Sequence, residues 1–229
     1  MHLGSFSLFA QTITLRSNDT SIHYESIPPI HYFTKVSVCD TFGNIQFEFL
    51  NENLRTVDTL HRILFARFRS IPFGKIYTDS SWTSAEGPIS LTETTTQLTK
   101  HLVVNFGKTR ITVHVFNKNV LSDSVVTMEE GYFDDNIIED LVGYLPIKKD
   151  VQYHLDCYRY ESRGGKNPYD LHFVFDDLLS RTSGKPIACS VLFFRNSYQH
   201  GYCWIDRNSR VNIKQIIYQK DRLILVQVI

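Results

Sequence analysis

The chain has little of what marks the common enzyme and secreted-domain classes. Four cysteines in 229 residues, at positions 39, 157, 189 and 203, are too few and too scattered for a disulfide framework, and no CxxC pair occurs. Reduced thiols are the expected state. No apolar run approaches the roughly 18 residues of a membrane helix. The short apolar stretch Phe6, Leu8, Phe9, Ala10 has no Lys or Arg before it and no small-x-small cleavage site, which argues against a signal peptide. A cytoplasmic or nuclear location follows from these two absences. Asn18-Asp19-Thr20 fits a glycosylation sequon but has no secretory signal to make it meaningful. There is no GxGxxG, no GxxxxGK[ST], no HExxH and no GxSxG, and no cofactor is expected.

Net charge is missing too, since 24 bases balance 24 acids, yet the charges are sorted. Residues 121–150 hold eight acids (Asp123, Glu129, Glu130, Asp134, Asp135, Glu139, Asp140, Asp150) against Lys148 and Lys149. Residues 181–229 hold eight bases (Arg181, Lys185, Arg195, Arg207, Arg210, Lys214, Lys220, Arg222) against Asp206 and Asp221. Such sorting suits docking between copies, docking within one molecule, or steering of an anionic partner.

What is present is a globular composition rich in Phe and Tyr, with 16 and 12 copies, which leans towards sheet. Phe33 to Cys39 and the alternating Ile45, Phe47, Phe49 flank the turn residues Asp40 to Asn44, a hairpin signal. Leu102 to Phe106 and Ile111 to Phe116 form a second hairpin, turned at Gly107-Lys108. Further strands are expected at Val151 to Tyr160, Ile187 to Phe194, Tyr202 to Ile205, Val211 to Ile217 and Leu223 to Val228. Residues 79–99 read as a Ser/Thr-rich loop with at most a short strand. Two amphipathic helices are expected. In the first, about 56–70, Thr56 caps a stripe of Val57, Leu60, Leu64 and Phe68, with Arg55, Arg62, Arg67 and Arg69 on the other face. The second, 134–144, has Ile137, Ile138, Leu141 and Val142 as its stripe, and acids at its start suit the helix dipole. The expected fold is α+β, mostly antiparallel sheet with these two helices. It is expected to form a single domain, 1–229, with a possible subdivision near 163–168 where Gly164-Gly165 and Pro168 break the pattern (1–162 and 169–229).

The arginine face of the first helix and the C-terminal basic block are the binding candidates: Arg62, Arg67, Arg69, Arg207, Arg210 and Lys214. Phosphates or an anionic membrane surface would meet them. Interleaved aromatics such as Tyr198, Tyr202 and Trp204 also suit single-stranded nucleic acid. Cys189, His200 and Cys203, with His172 or Cys157, match the spacing of no common zinc finger or ribbon, so no metal is expected. A hydrolase would use His200 as general base, helped by His172, Cys203 or Asp206.

Two resemblances accompany these residues. His200 opening a strand, with Asp206 or Asn208 after it, resembles the histidine segment of papain-like and ubiquitin-specific proteases, which implies a cysteine nucleophile at a helix start. Neither Cys39 nor Cys157 sits at one. The expected order of elements over 31–142 is similar in layout to rhabdovirus-type matrix proteins, which implies self-assembly and membrane contact. Their Lys-rich arm is missing, and Pro28-Pro29-Ile30-His31 misses the PPxY spacing because the tyrosine is Tyr32.

The reading that follows is a non-enzymatic binding or assembly protein. It would use segregated acidic and basic surfaces for self-association or for contact with nucleic acid or an anionic membrane surface, without a transmembrane segment. The alternative is a nuclease or cysteine-protease-like hydrolase centred on His200.

Overall fold

Alternation of β-branched and aromatic residues with polar ones dominates the chain, and in the computed structural model nearly all of it becomes strand. The structure describes residues 11–60, 62–71, 75–84, 90–97, 100–117, 120–159, 165–180 and 184–229. The first half runs β1 (Gln11–Leu15), β2 (Ile30–Cys39), β3 (Ile45–Val57), β4 (Ile63–Ile71), β5 (Lys75–Thr83), β6 (Ser90–Gln97), β7 (Lys100–Phe106), β8 (Arg110–Asn117) and β9 (Val120–Thr127). After β10 (Phe133–Asp134) comes the main helical segment, two 3-10 turns flanking the four-residue α1 (Ile138–Leu141). The chain then continues through β11 (Val151–Leu155), β12 (Cys157–Arg159), β13 (Gly165–Lys166), β14 (Tyr169–Leu179), β15 (Ile187–Arg195), β16 (Gln199–Asp206), β17 (Asn212–Gln219) and β18 (Arg222–Val228).

Fifteen strands form one sheet in the order β1-β11-β14-β15-β16-β17-β18-β2-β3-β4-β5-β6-β7-β8-β9. It is two meanders joined where β18 pairs antiparallel with β2, Leu223 opposite Cys39 and Val228 opposite Thr34. Among the described residues, only β1 with β11 is a parallel pair in this sheet. A small second sheet, β10-β12-β13, accompanies it. The large sheet curls on itself. Ile63 and Phe65 of β4 share one buried core with Leu171 of β14 and Phe194 of β15, strands far apart in the order. Right-handed strand twist accumulated over so many strands produces such curling. The segment after β9 runs back to the end of β1, where Ser17 N donates to Gly131 O at 2.7 Å.

The helical segment plugs one end of the curl. Ile137, Ile138, Leu141 and Val142 enter the main core with Phe133 and Leu155, and burial of each large side chain contributes about 2 kcal/mol. Its start is fixed by Asp134, whose carboxylate accepts from Asn136 N at 2.9 Å and from Ser81 Oγ at 2.8 Å.

The α+β expectation is overturned. Among the described residues the fold is almost entirely strand, with a single short helical segment besides isolated turns, which is a β-rich fold. The helix expected at 56–70 is instead the β3–β4 hairpin. Asp58 builds its turn by accepting from Leu60 N at 2.9 Å and Arg62 N at 2.8 Å, and β4 pairs with β3 throughout. The apparent helical stripe arose because Leu60 lies in the turn while Leu64 and Phe68 share one face of a strand, a spacing that fits both periods. The expected 134–144 helix forms as one short helical segment over 135–144, two 3-10 turns flanking α1, and Asp134 belongs to β10. The rhabdovirus-like layout depended on the helix at 56–70 and goes with it. Within 79–99 the described residues belong mainly to β5 and β6, and 85–89 and 98–99 lie outside the described residues. The possible boundary at 163–168 falls partly outside them as well, with Gly165–Lys166 forming β13.

Candidate binding cavity in the curled sheet

A strand exposes alternate residues to the two faces of its sheet. The inward phase of β3 reads Phe47, Phe49, Asn51, Asn53, Arg55, and that of β4 reads Ile63, Phe65, Arg67, Arg69. Polar groups therefore sit in mid-strand on the inner face. The register aligns Tyr32, Asn53, Arg67, Asp79 and Thr95 as one cross-strand row. Next to it lies the row of Thr34, Asn51 and Arg69. These rows face the helical plug across a cavity of about 370 Å³, at the small end of the range for ligand pockets.

Arg67 organises the deep wall. Its guanidinium pairs with Glu139 and Asp140, both at 3.3 Å, and its Nε donates to Asn53 Oδ1 at 3.1 Å. Tyr32 donates its hydroxyl proton to Asp140 Oδ1 at 2.8 Å, and burial beside that carboxylate raises the phenol's pKa, so it stays protonated. Arg69 donates from Nε to Asn51 Oδ1 at 3.4 Å and lies 5.4 Å over the Phe49 ring. Across the cavity, β17 contributes Asn212, Gln215 and Ile217. Towards the β2–β3 hairpin the wall turns apolar, with Val36, Val38, Phe49, Ile224 and Val226.

The buried wall carries oxygens without donors. Gln215 Oε1 and Asn212 Oδ1 have no hydrogen-bond partner, and Gln215 is only 5% exposed. Burial raises the Asp135 pKa above the usual carboxylate range, although Asp135 accepts from the Tyr169 hydroxyl and from Asn167 Nδ2 at 3.1 Å and sits 3.5 Å from Arg159. An acid whose pKa is raised by folding holds a proton more tightly in the folded state. Its contribution is therefore complete below the unfolded pKa and is lost as pH rises through the raised value. Asp135→Asn, which carries no charge to desolvate, should accordingly gain stability over wild type at about pH 7 and gain little at about pH 3. Thermal melts of both proteins at the two pH values check this.

The sequence-derived candidates are scattered. Arg67 and Arg69 line the cavity. Arg62 is bound to Asp58 in the hairpin turn and lies 5.1 Å over the Trp82 ring. Arg207 pairs with Asp176 on the outside. Arg210, at φ +58° in the β16–β17 turn, donates from Nη1 to Gly143 O at 3.5 Å. Lys214 covers the Trp204 ring at 4.5 Å. The acidic stretch finds cations elsewhere in the molecule: Arg16 for Glu129, Lys108 for Glu130, Arg67 for Glu139 and Asp140, and Arg159 for Asp135.

The hydrolase candidates are separated by the strand period. Cys203 points into the main core, where burial pushes its thiol up to about 12. His200 lies on the other face, stacked on Tyr218 with ring centroids 5.4 Å apart. His172 packs against Phe193 there, and burial lowers its pKa. Asp206 is occupied in the β16–β17 turn, accepting from Asn208 N at 2.9 Å and Ser209 Oγ at 2.7 Å. Among the described residues, no three His, Cys, Asp or Glu side chains gather as a metal site. Nor is any helix among them long and apolar enough to cross a membrane.

Sequence reasoning missed Tyr32, Asn51, Asn53 and Gln215. The available signal was the inward phase of β3, which changes from Phe to Asn halfway along.

No curated protein matches the chain. Among solved structures it is similar to a β-barrel-like protein of the DUF1849 domain from Brucella abortus, with TM-score 0.59 and 8% identity over 95% of this chain and 97% of that one. This likeness concerns the fold alone. A second structure, described as an exported protein with a YmcC-like fold from Bacteroides fragilis, has TM-score 0.37 and 7% identity over 88% and 96% of the two chains. A third, described as a lipoprotein from Parabacteroides distasonis, has TM-score 0.30 and 9% identity over 88% and 95%. The cytoplasmic or nuclear location expected from the N-terminus is not kept, since no comparison supports it; the words exported and lipoprotein describe those two proteins alone. The family model described as a protein of unknown function, DUF3108, matches residues 30–218, and the chain belongs to that family.

Proposed function

We propose that this protein is a non-enzymatic binding protein whose ligand occupies the interior of the curled sheet. The observation that carries this reading is the buried polar wall. A folded protein gains little by placing Arg67, Asn51, Asn53 and Gln215 on the inner face of a sheet, and an acceptor left without a donor costs about 1–3 kcal/mol. Retaining such a wall around a 370 Å³ space makes physical sense when something polar is received there. The class read from the sequence, a binding protein without catalytic machinery, is kept, and its site moves from the surface to the interior. Self-association through sorted charge would have to rely on the outward cations Arg62, Arg207, Arg210 and Lys214, since Arg67 and Arg69 face inward.

The test is titration with the neutral dye phenylnaphthylamine, whose fluorescence rises in an apolar site. One saturable site per chain is expected, and Val226→Trp, which fills the cavity from its apolar wall, should remove it while the protein still melts cooperatively. Absence of saturable binding to the wild-type protein would overturn the reading.

A further inference from the structure

We propose that the cavity takes a single-chain amphiphile with a cationic, hydrogen-bond-donating head, inserted head first. This rests on the cavity being the binding site and specifies what it receives.

The two ends of the cavity differ in chemistry. At the deep end, carboxylates outnumber guanidinium groups. Asp79, Asp134, Asp135, Glu139 and Asp140 line the space together with three arginines, and Glu139 and Asp140 share one cation, Arg67, with Tyr32 as a neutral donor to Asp140. Among the described residues, two buried wall oxygens lack a donor, Gln215 Oε1 and Asn212 Oδ1. Gln215 lies on β17, a different element from those that carry the acids, and it also presents an acceptor. A surplus of acceptors in a low-dielectric recess favours a head that brings N–H donors and positive charge, and an anionic head would meet uncompensated repulsion.

At the other end, the apolar wall of Val36, Val38, Ile224 and Val226 continues outwards into Phe49 and Phe47. Their rings stack at 6.2 Å on the same face of β3. Phe47 is 43% exposed, so this row of apolar side chains reaches from the cavity-lining Phe49 to solvent. A hydrocarbon chain laid along it would remove that surface from water. A head with no tail would leave it wet, and a tail with no head would leave the deep oxygens unsatisfied.

The experiment is displacement of bound phenylnaphthylamine by dodecylammonium and by dodecanoate, which share one tail and differ in head, both kept below micelle formation. Dodecylammonium should displace the dye at a concentration at least about tenfold lower than dodecanoate, the difference one or two charge-assisted hydrogen bonds supply. Glu139→Gln should reduce that preference. Gln215→Leu, which removes an orphan acceptor and leaves no buried charge behind, should reduce it without harming the fold, and it decides the matter if Glu139→Gln does not fold. Equal or stronger displacement by dodecanoate overturns the assignment of the head and leaves the cavity as a binding site. Failure of both to displace a dye that does bind overturns the amphiphile. A dye that never binds removes the underlying reading and this one with it.

Discussion

Arg67→Met should destabilise the fold by about 3 kcal/mol, seen as a lower urea midpoint with an unchanged slope. The Arg67 side chain is 17% exposed, and its guanidinium holds Glu139 and Asp140 together, with Asn53 as a third partner. Methionine replaces its volume and apolar stem, so the loss reports charge and hydrogen bonding rather than a cavity. What remains is a pair of carboxylates on adjacent residues, facing a wall with no cation in Arg67's place. Removing one member of a paired, poorly solvated group costs more than the pair itself was worth, because the partners stay behind uncompensated. The cost therefore lies with the acids. Adding Glu139→Gln and Asp140→Asn to Arg67→Met should recover most of it. If the triple variant is no more stable than the single one, Arg67 acts through packing and not through its ion pairs.

Gly201→Ala should cost at least about 3 kcal/mol, although alanine is the smallest change available. Gly201 lies in β16 opposite Ile217 of β17, fully enclosed by the curled sheet. A Cβ there would overlap the carbonyl oxygen of Ile216 and lie 3.1 Å from both its carbonyl carbon and Ile217 Cα. All three are backbone atoms of the neighbouring strand, so no side chain can swing away. Relief requires β16 and β17 to part, which weakens the ladder that carries Gln215 and Ile217 on the cavity wall. The variant should show a lower urea midpoint together with weaker dye binding. A shift in the midpoint of under about 1 kcal/mol would mean the strands separate easily here.

These two residues also measure how far the sequence could be read. Strands that pair with their chain neighbours were legible. The hairpin around Asp40 carries its turn chemistry openly, since the Asp40 carboxylate accepts from Phe42 N and Asn44 N at 2.9 Å each and Gly43 adopts φ +89°. The β7–β8 hairpin and β15 to β18 lie close to where alternation puts them. Asp58 had the same turn chemistry and was overlooked, because the i, i+4 spacing of Leu60, Leu64 and Phe68 satisfied a helical period. That single misreading displaced the site. On a helix, Arg67 and Arg69 would form a solvated face; on β4 the two-residue period turns both inward.

The sequence by itself determined the local pairings and the polar caps, because these depend on residues a few positions apart. Only the tertiary structure decided which face of each strand is inside. That choice depends on β18 closing onto β2 and on β4 curling over to share a core with β14 and β15, contacts between residues more than a hundred positions apart. Once the sheet curls, its inner face must be filled. Apolar side chains and the 135–144 segment fill one part, and a cavity remains between that segment and the polar rows around Arg67.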